Sequence, residues 1–326
     1  LNQKFDALLI CSFGGPEGME DVLPFLDNVL RGKNVPEERK REVAHHYEMF
    51  GGISPINAQN RELKSLLEKK FKSEGIDLPV FWGNRNWKPY FENAISEMKN
   101  KGVKNALAYI TSVYGSYSGC RQYLENIENA RKLVGEDAPT IQRLPLFYNH
   151  PNFIEVNVKN IRAQLNNVPD SGHSSVHLAF TAHSIPVSMS LTSPYVEQLQ
   201  QTCKLVAEKV GIQSWKLVFQ SRSGPHQIPW LEPDICDHLE SISKEGKSHV
   251  IVSPIGFVSD HMEVLYDLDV EAKRKSQELG LTMLRASSVG NDPMMIDMIV
   301  DLVKQQLEGK APFVCKPDCC APPQRR

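Results

Sequence analysis

The chain has 326 residues, with 37 Lys plus Arg against 39 Asp plus Glu; the formal net charge of −2 and the lack of any basic run argue against nucleic acid as the principal partner. That length exceeds the usual size of a single hydrophobic core, so two domains are expected. No apolar stretch approaches the roughly 20 residues needed to span a bilayer, and the opening residues LNQKFDALLI lack a signal-peptide pattern. The expectation is therefore a cytoplasmic protein without stable membrane insertion, its seven cysteines kept reduced or bound to metal.

In chain order, strand-like runs over 6–12, 79–83, 105–112 and 139–143 alternate with helical stretches near 19–30, 37–49, 57–74, 89–100 and 118–134. This is the βα rhythm of a parallel sheet. A second series follows: runs at 176–182, 215–220, 248–257 and 282–286, with helical patterns near 150–166, 195–210, 234–244 and 261–279 and a last helix near 292–308. The fold class is α/β, with two Rossmann-like domains, 1–148 and 149–310, divided between Phe147 and Pro151, and a Cys/Pro-rich tail at 311–326. Folds of this kind bind ligands outside the C-terminal ends of their strands, here in a cleft expected between the two domains.

Two segments carry chemistry at such strand ends. LAFTAHSIP presents His183, an imidazole able to carry a proton near neutral pH or to bind a metal. SPIGFVSDHMEVLYDLDVE presents Glu263, Asp267 and Glu271 at four-residue spacing, which keeps three carboxylates on one helical face. Taken singly, each has an ordinary reading: a histidine satisfied by local hydrogen bonds, and the solvated face of a helix. Together they suggest a site that handles a divalent cation, protons or both, because like charges at this spacing weaken a helix unless something positive lies among them. His261, adjacent on the same helix, is expected to point elsewhere and to serve structure. The glycine-rich turn SFGGPEG after the first strand lacks both the dinucleotide spacing and the lysine of a nucleotide loop.

The tail APFVCKPDCCAPPQRR places Cys315, Cys319 and Cys320 within six residues. A loose end with free thiols is one reading. A metal site is the other. Cys11, Cys203 and Cys236 read as ordinary buried thiols.

TAHSIP and GFVSDHMEVLYDLD closely resemble signature stretches of the ferrochelatases, enzymes that insert ferrous iron into a porphyrin. LLICSFGGPEG, HYEMFGGISPIN, GNRNWKP and FQSRSGPHQIPWLEP extend the resemblance, in the family's order, over residues 5 to about 308. It implies two chelatase-type domains, with His183 as base or inner iron ligand, Glu263 facing it as second ligand, and Asp267 and Glu271 passing iron inward or protons outward. Hard carboxylate oxygens with one imidazole suit labile Fe2+ as a substrate, whereas a thiolate-rich site would hold it too tightly for transfer. Ser54 and Tyr117 are placed beside the macrocycle; Tyr47 and Arg31 are further donors to its carboxylates. Ser54 is equally readable as a turn residue. Phe13, where family members often have tyrosine or methionine, offers no oxygen and is assigned packing, and His46 stands where some relatives carry arginine. Cys120 in YSGCRQYLENI resembles the segment that supplies a fourth cysteine, beside Cys315, Cys319 and Cys320, to a [2Fe–2S] cluster; zinc would use the same four.

The segment RGKNVPEERK is short and charged, without an apolar lip to dip into a membrane. With VYGSYSGCRQYLENI, this resembles most the coproporphyrin III ferrochelatases of Gram-positive actinobacteria. Coproporphyrin III is then the expected substrate, protoporphyrin IX the alternative, and a coproheme decarboxylase the expected downstream partner. A cobalt chelatase and a non-catalytic haem carrier are the rivals from other classes; the acid ladder has no evident purpose in a carrier.

Overall fold

The computed structural model describes residues 5–32, 35–169, 175–224, 227–310 and 319–322. They form two four-stranded parallel sheets with the same internal order. In the first, β1 (Ala7–Ser12), β2 (Val80–Asn84), β3 (Asn105–Ile110) and β4 (Thr140–Arg143) lie in the order β2-β1-β3-β4. In the second, β5 (Val176–His183), β6 (Trp215–Gln220), β7 (His249–Ser253) and β8 (Thr282–Arg285) lie in the order β6-β5-β7-β8.

The central strands are continuous apolar runs because both faces of a parallel sheet are covered by helices. All six residues of β1 are buried, as are the first seven of β5. Around the first sheet run α1 (Met19–Leu30), α2 (Glu37–Glu48), α3 (Ile56–Ser73), α4 (Phe91–Asn100) and α5 (Gln122–Val134). Leu9, Phe81, Ile95, Met98 and Ile127 form one core cluster there. The second series is α6 (Pro151–Leu165), α7 (Val187–Ser190), α8 (Tyr195–Val210), α9 (Ile235–Lys244), α10 (Met262–Val264), α11 (Lys273–Glu278) and α12 (Pro293–Leu307). Val218, Leu239, Val252 and Leu268 make the corresponding core. Emptying one of the largest fully buried positions, Phe180→Ala on β5, would cost about 3–5 kcal/mol.

Three features depart from the sequence expectation. The chain does not divide into two sequential halves: one compact unit comprises the described residues of 1–111, 122–145 and 296–314, the other those of 112–121, 146–295 and 315–326. The greater part of α12 therefore belongs with the first sheet, where Lys70 meets Asp297 at 2.7 Å and Lys304 meets Glu74. The run 248–257 is a strand only to Ser253, because Pro254 has no N–H to continue the ladder. The helix expected over 261–279 is α10, then a π-helical turn Leu265–Ala272, then α11. A second π-helical turn, Tyr117–Arg121, opens α5. Such turns widen the winding by one residue, a change that apolar periodicity does not reveal.

The strand orders place a topological switch point between β1 and β3 in one sheet and between β5 and β7 in the other. Ligand sites of open α/β sheets form outside the strand ends at such points. His183 is the last residue of β5, and Glu263 follows the loop that leaves β7.

Candidate acid-base and metal site

The loop after β7 reaches β5 through close backbone contact. The Gly256 N–H donates to the Thr181 carbonyl at 3.0 Å, and a Cβ on Gly256 would lie 2.6 Å from Ala182 Cα, so only glycine fits. This approach brings Glu263 to the His183 strand end: His183 Nε2 lies 3.7 Å from Glu263 Oε2, with side chains 32% and 51% exposed.

The imidazole is held from its other side. His183 Nδ1 hydrogen-bonds the Ser184 carbonyl oxygen, and since a carbonyl only accepts, Nδ1 carries the proton. In the neutral ring the lone pair then sits on Nε2, the atom facing Glu263. Tyr195 steadies the same stretch by donating its hydroxyl to the His183 carbonyl at 2.9 Å. Burial alone would lower the pKa of His183; the charge of Glu263, the hydrogen bond to the Ser184 carbonyl and the charge of Asp267 outweigh it, and the net shift is upward.

Asp267 lies within the π-helical turn. Burial raises its pKa to about 7, the charges of Glu263 and Glu271 add to the rise, and a hydrogen bond from Ser221 and the charge of His183 oppose it. Glu263 and Glu271 thus both act electrically on Asp267, as the spacing implied. Two residues at the end of β6 hold Asp267. Gln220 Nε2 donates to Asp267 Oδ2 at 3.3 Å and to the Glu263 carbonyl at 3.2 Å, and the Ser221 hydroxyl donates to Asp267 Oδ2. Ser221 does so from a left-handed backbone, φ 61°, which costs a non-glycine residue about 1–2 kcal/mol.

His261 is electrically coupled to this group. It caps the start of α10 with extended backbone, and its ring stands edge-on to Phe257 at 5.1 Å. Burial lowers its pKa, Glu263 opposes that and the positive form of His183 adds to it, so the two imidazoles compete for charge. Gln220 and Ser221 were missed as functional residues: FQSRSGP is a recognisable segment, but no periodicity shows which acid a strand-end amide will meet.

The other candidate residues are carried by other elements. In the unit built on the first sheet, Phe13 and Tyr47 stand edge-on to Phe25 at 6.2 and 5.8 Å. Phe13 keeps 37% exposure and has the Arg85 guanidinium 5.8 Å from its ring centroid, so it packs without being enclosed. Arg31 is exposed and donates to Asn28 Oδ1 at 2.5 Å. Ser54 is 4% exposed, its N–H bound to the Pro16 carbonyl at 2.9 Å, and its side chain fills the space a Cβ on Gly15 would need. That is the geometry of a turn residue. Met19, Leu23, Met49 and Ile53 are 48–54% exposed in the same unit; they escaped notice because charged residues are interleaved with them. Of RGKNVPEERK, Lys33 and Asn34 lie outside the described residues. Tyr117, in the second unit, opens a π-helical turn and is half-buried.

Cys120 in that turn is 3% exposed and hydrogen-bonds Cys320, which is 1% exposed. Cys319 Sγ is 3.5 Å from Cys320 Sγ. Cys320 therefore neighbours both other thiols, from a left-handed backbone (φ 56°) whose N–H donates to the Thr192 carbonyl at 3.1 Å. These contacts with Cys120 first, then burial, then Cys319, push the Cys320 thiol far up. Cys315 lies outside the described residues, and among those described no group of three or more His, Cys, Asp or Glu is arranged to hold a metal ion. Cys11 and Cys203 are buried as expected, whereas Cys236 is only partly buried. No described helix is long and apolar enough to cross a membrane.

A protein-family model described as Ferrochelatase matches residues 5–307. A ferrochelatase of Rhodopirellula baltica is 49% identical, the match covering 99% of this chain and 95% of that protein. A coproporphyrin III ferrochelatase of Nocardia farcinica is 46% identical, covering 98% and 97%. Among solved structures, SirB from Bacillus subtilis with Fe3+ aligns with a TM-score of 0.59 over 96% of this chain and 100% of its own, at 13% identity, a likeness of fold.

Proposed function

The chain belongs to the ferrochelatase family, and from that premise we propose that it inserts Fe2+ into coproporphyrin III, giving Fe-coproporphyrin III and two protons. The observation that carries the reading is the orientation of His183, whose Nδ1–H is committed to the Ser184 carbonyl while Nε2 faces the Glu263 carboxylate. Metallation requires a base for two pyrrole N–H protons and oxygen ligands weak enough to surrender ferrous iron. The Nε2 lone pair takes a pyrrole proton, and Glu263 stabilises the imidazolium that results. Asp267, with a pKa of about 7, accepts and releases that proton near neutral pH and hands it on toward Glu271. The iron enters as substrate on Glu263.

Coproporphyrin III is preferred because relatives that bear its name match this chain at 46–48% identity over 93–98% of its length. Its product retains four propionates, so the expected next step is a decarboxylase acting on it. The exposed Met19, Leu23, Met49 and Ile53 favour the second reading, protoporphyrin IX, whose vinyl groups they would accommodate. Ser54, Tyr117, Arg31 and Tyr47 remain the proposed contacts to the porphyrin carboxylates. The test is anaerobic incubation with Fe2+ and either porphyrin in detergent-free buffer, following loss of free-base fluorescence. Coproporphyrin III is expected to be metallated much faster; equal rates return protoporphyrin IX to first place, and inertness toward both refutes the reading.

The thiols fit a [2Fe–2S] cluster in the convergence of Cys120 and Cys319 on Cys320, where burial and crowding oppose thiolates unless a metal compensates them. Cys120, Cys319, Cys320 and Cys315 would hold it, and it would supply a cross-link between the tail and the body, with no part in metallation. Zinc at the same thiols is separated from it by acid-labile sulfide analysis.

A further inference from the structure

Three connections meet at the C-terminal edge of the first sheet: the turn after β1 with Phe13, Gly14 and Gly15, the loop over 85–89 after β2, and the entry to α3 with Ser54 and Asn57. The first two are joined along the backbone, since the Arg85 N–H donates to the Ser12 carbonyl at 3.0 Å and the Asn86 N–H to the Phe13 carbonyl at 3.1 Å. Gly14, at φ 82°, packs so closely on the end of β2 that a Cβ there would lie 2.9 Å from Asn84 Cβ.

Two side-chain amides, on Asn57 and Asn84, lie beneath these connections, 0% and 1% exposed. They form a hydrogen-bond chain with a single sense. It starts at an indole N–H, which only donates: Trp82 Nε1 donates to Asn84 Oδ1 at 2.9 Å. Asn84 Nδ2 then donates to Asn57 Oδ1 at 3.2 Å and to the Lys88 carbonyl at 3.0 Å. Asn57 Nδ2 donates to the Gly15 carbonyl at 3.1 Å and to the Lys88 carbonyl at 3.3 Å. Carbonyls only accept, so flipping either amide would set acceptor against acceptor. Every amide N–H is used, and the Gly15 and Lys88 carbonyls, which lie outside the sheet ladder, receive their partners.

The chain touches neither His183 nor Glu263. What it fixes is a surface: Phe13, 37% exposed with the Arg85 guanidinium 5.8 Å from its ring centroid, and Ser54, whose side chain fills the space beside Gly15. A ligand that meets a face already held in its bound geometry loses no affinity to ordering it.

We propose that Asn57 and Asn84 are positioning residues for the porphyrin: their chained amides lock the turn after β1 to the loop after β2 and to the start of α3, and so present Phe13 and Ser54 as a rigid face to the macrocycle. The part concerning the porphyrin rests on the function proposed above.

The experiment compares wild type with Asn57→Leu, Asn84→Leu and Trp82→Phe by amide hydrogen exchange in NMR, by fluorescence quenching of coproporphyrin III without iron, and by steady-state metallation. Exchange at the Arg85 and Asn86 N–H groups is expected to quicken about tenfold in both leucine variants, the scale set by one buried acceptor left unsatisfied, with the second sheet unchanged. The Kd and KM for coproporphyrin III should rise about tenfold in step, while the KM for Fe2+ stays within about twofold. Trp82→Phe, which removes only the first donor, should move the same readouts in the same direction by about threefold, and it supplies them should the leucine variants fail to fold. Unchanged exchange or unchanged porphyrin affinity overturns the proposal, as does a loss that moves both KM values alike. A wild type that binds no porphyrin would overturn the functional reading alone, since exchange still judges the brace.

Discussion

Replacing Asp267 by asparagine is the most informative single perturbation, because its effect on stability can be worked from the structure and has a definite sign. The folded carboxyl titrates at about 7 against an ordinary value of 3.8. Between those values the native state binds a proton that the unfolded chain has released, so this group's contribution is fully present below about pH 4 and is lost as pH rises toward 7. Linkage with these values removes about 2–3 kcal/mol of stability between pH 5 and pH 8. Asp267→Asn abolishes that slope while keeping a similar shape for Gln220 and Ser221. Denaturant unfolding of both proteins at pH 5, 6, 7 and 8 measures it, and titrations elsewhere cancel in the difference. The stability of the variant relative to wild type should rise by about 2–3 kcal/mol across that range. A difference that stays flat with pH would refute the reasoning and return Asp267 to an ordinary ionised carboxylate.

His183→Ala should abolish metallation and leave porphyrin binding, measured by fluorescence quenching, within a fewfold of wild type; retained turnover removes the imidazole from the reaction. Glu263→Gln keeps shape and removes charge, so turnover should fall by at least 100-fold, about 2.7 kcal/mol of barrier, in a saturating-iron assay. His177 and His238, 6% and 3% exposed with Nε2 atoms 2.9 Å apart, are each lowered to about 4, first by burial. Their stabilising neutrality is present above pH 6.5 and lost as pH falls toward 4, so His238→Gln should flatten the acid limb of a thermal-melt series over pH 4–7. Cys120→Ser should lose visible absorbance and acid-labile sulfide together while retaining porphyrin metallation; sulfide-free protein with stoichiometric zinc in the wild type would decide for a zinc site.

The sheets and the two ends that carry His183 and Glu263 were legible in the sequence for a definite reason. Parallel strands covered on both faces must be continuously apolar, so ALLICS and VHLAFTAH announce themselves, and chemistry appears where such runs break into polar residues. The four-residue spacing of Glu263, Asp267 and Glu271 likewise declares a shared face. What the sequence left undetermined depends on contacts between residues far apart in the chain. His177 meets His238 across 61 positions, Ser221 meets Asp267 across 46 and Arg285 meets Asp260 across 25. No local pattern specifies which buried partner a side chain will find. The π-helical turns belong to the same class: one extra residue per turn leaves the apolar periodicity nearly intact, so 261–279 read as a plain α-helix. Only the packed structure decided that Asp267 is desolvated, that His183 presents Nε2 and not Nδ1, and that α12 joins the first sheet, because burial, tautomer and chain return are set by neighbours that folding alone assembles.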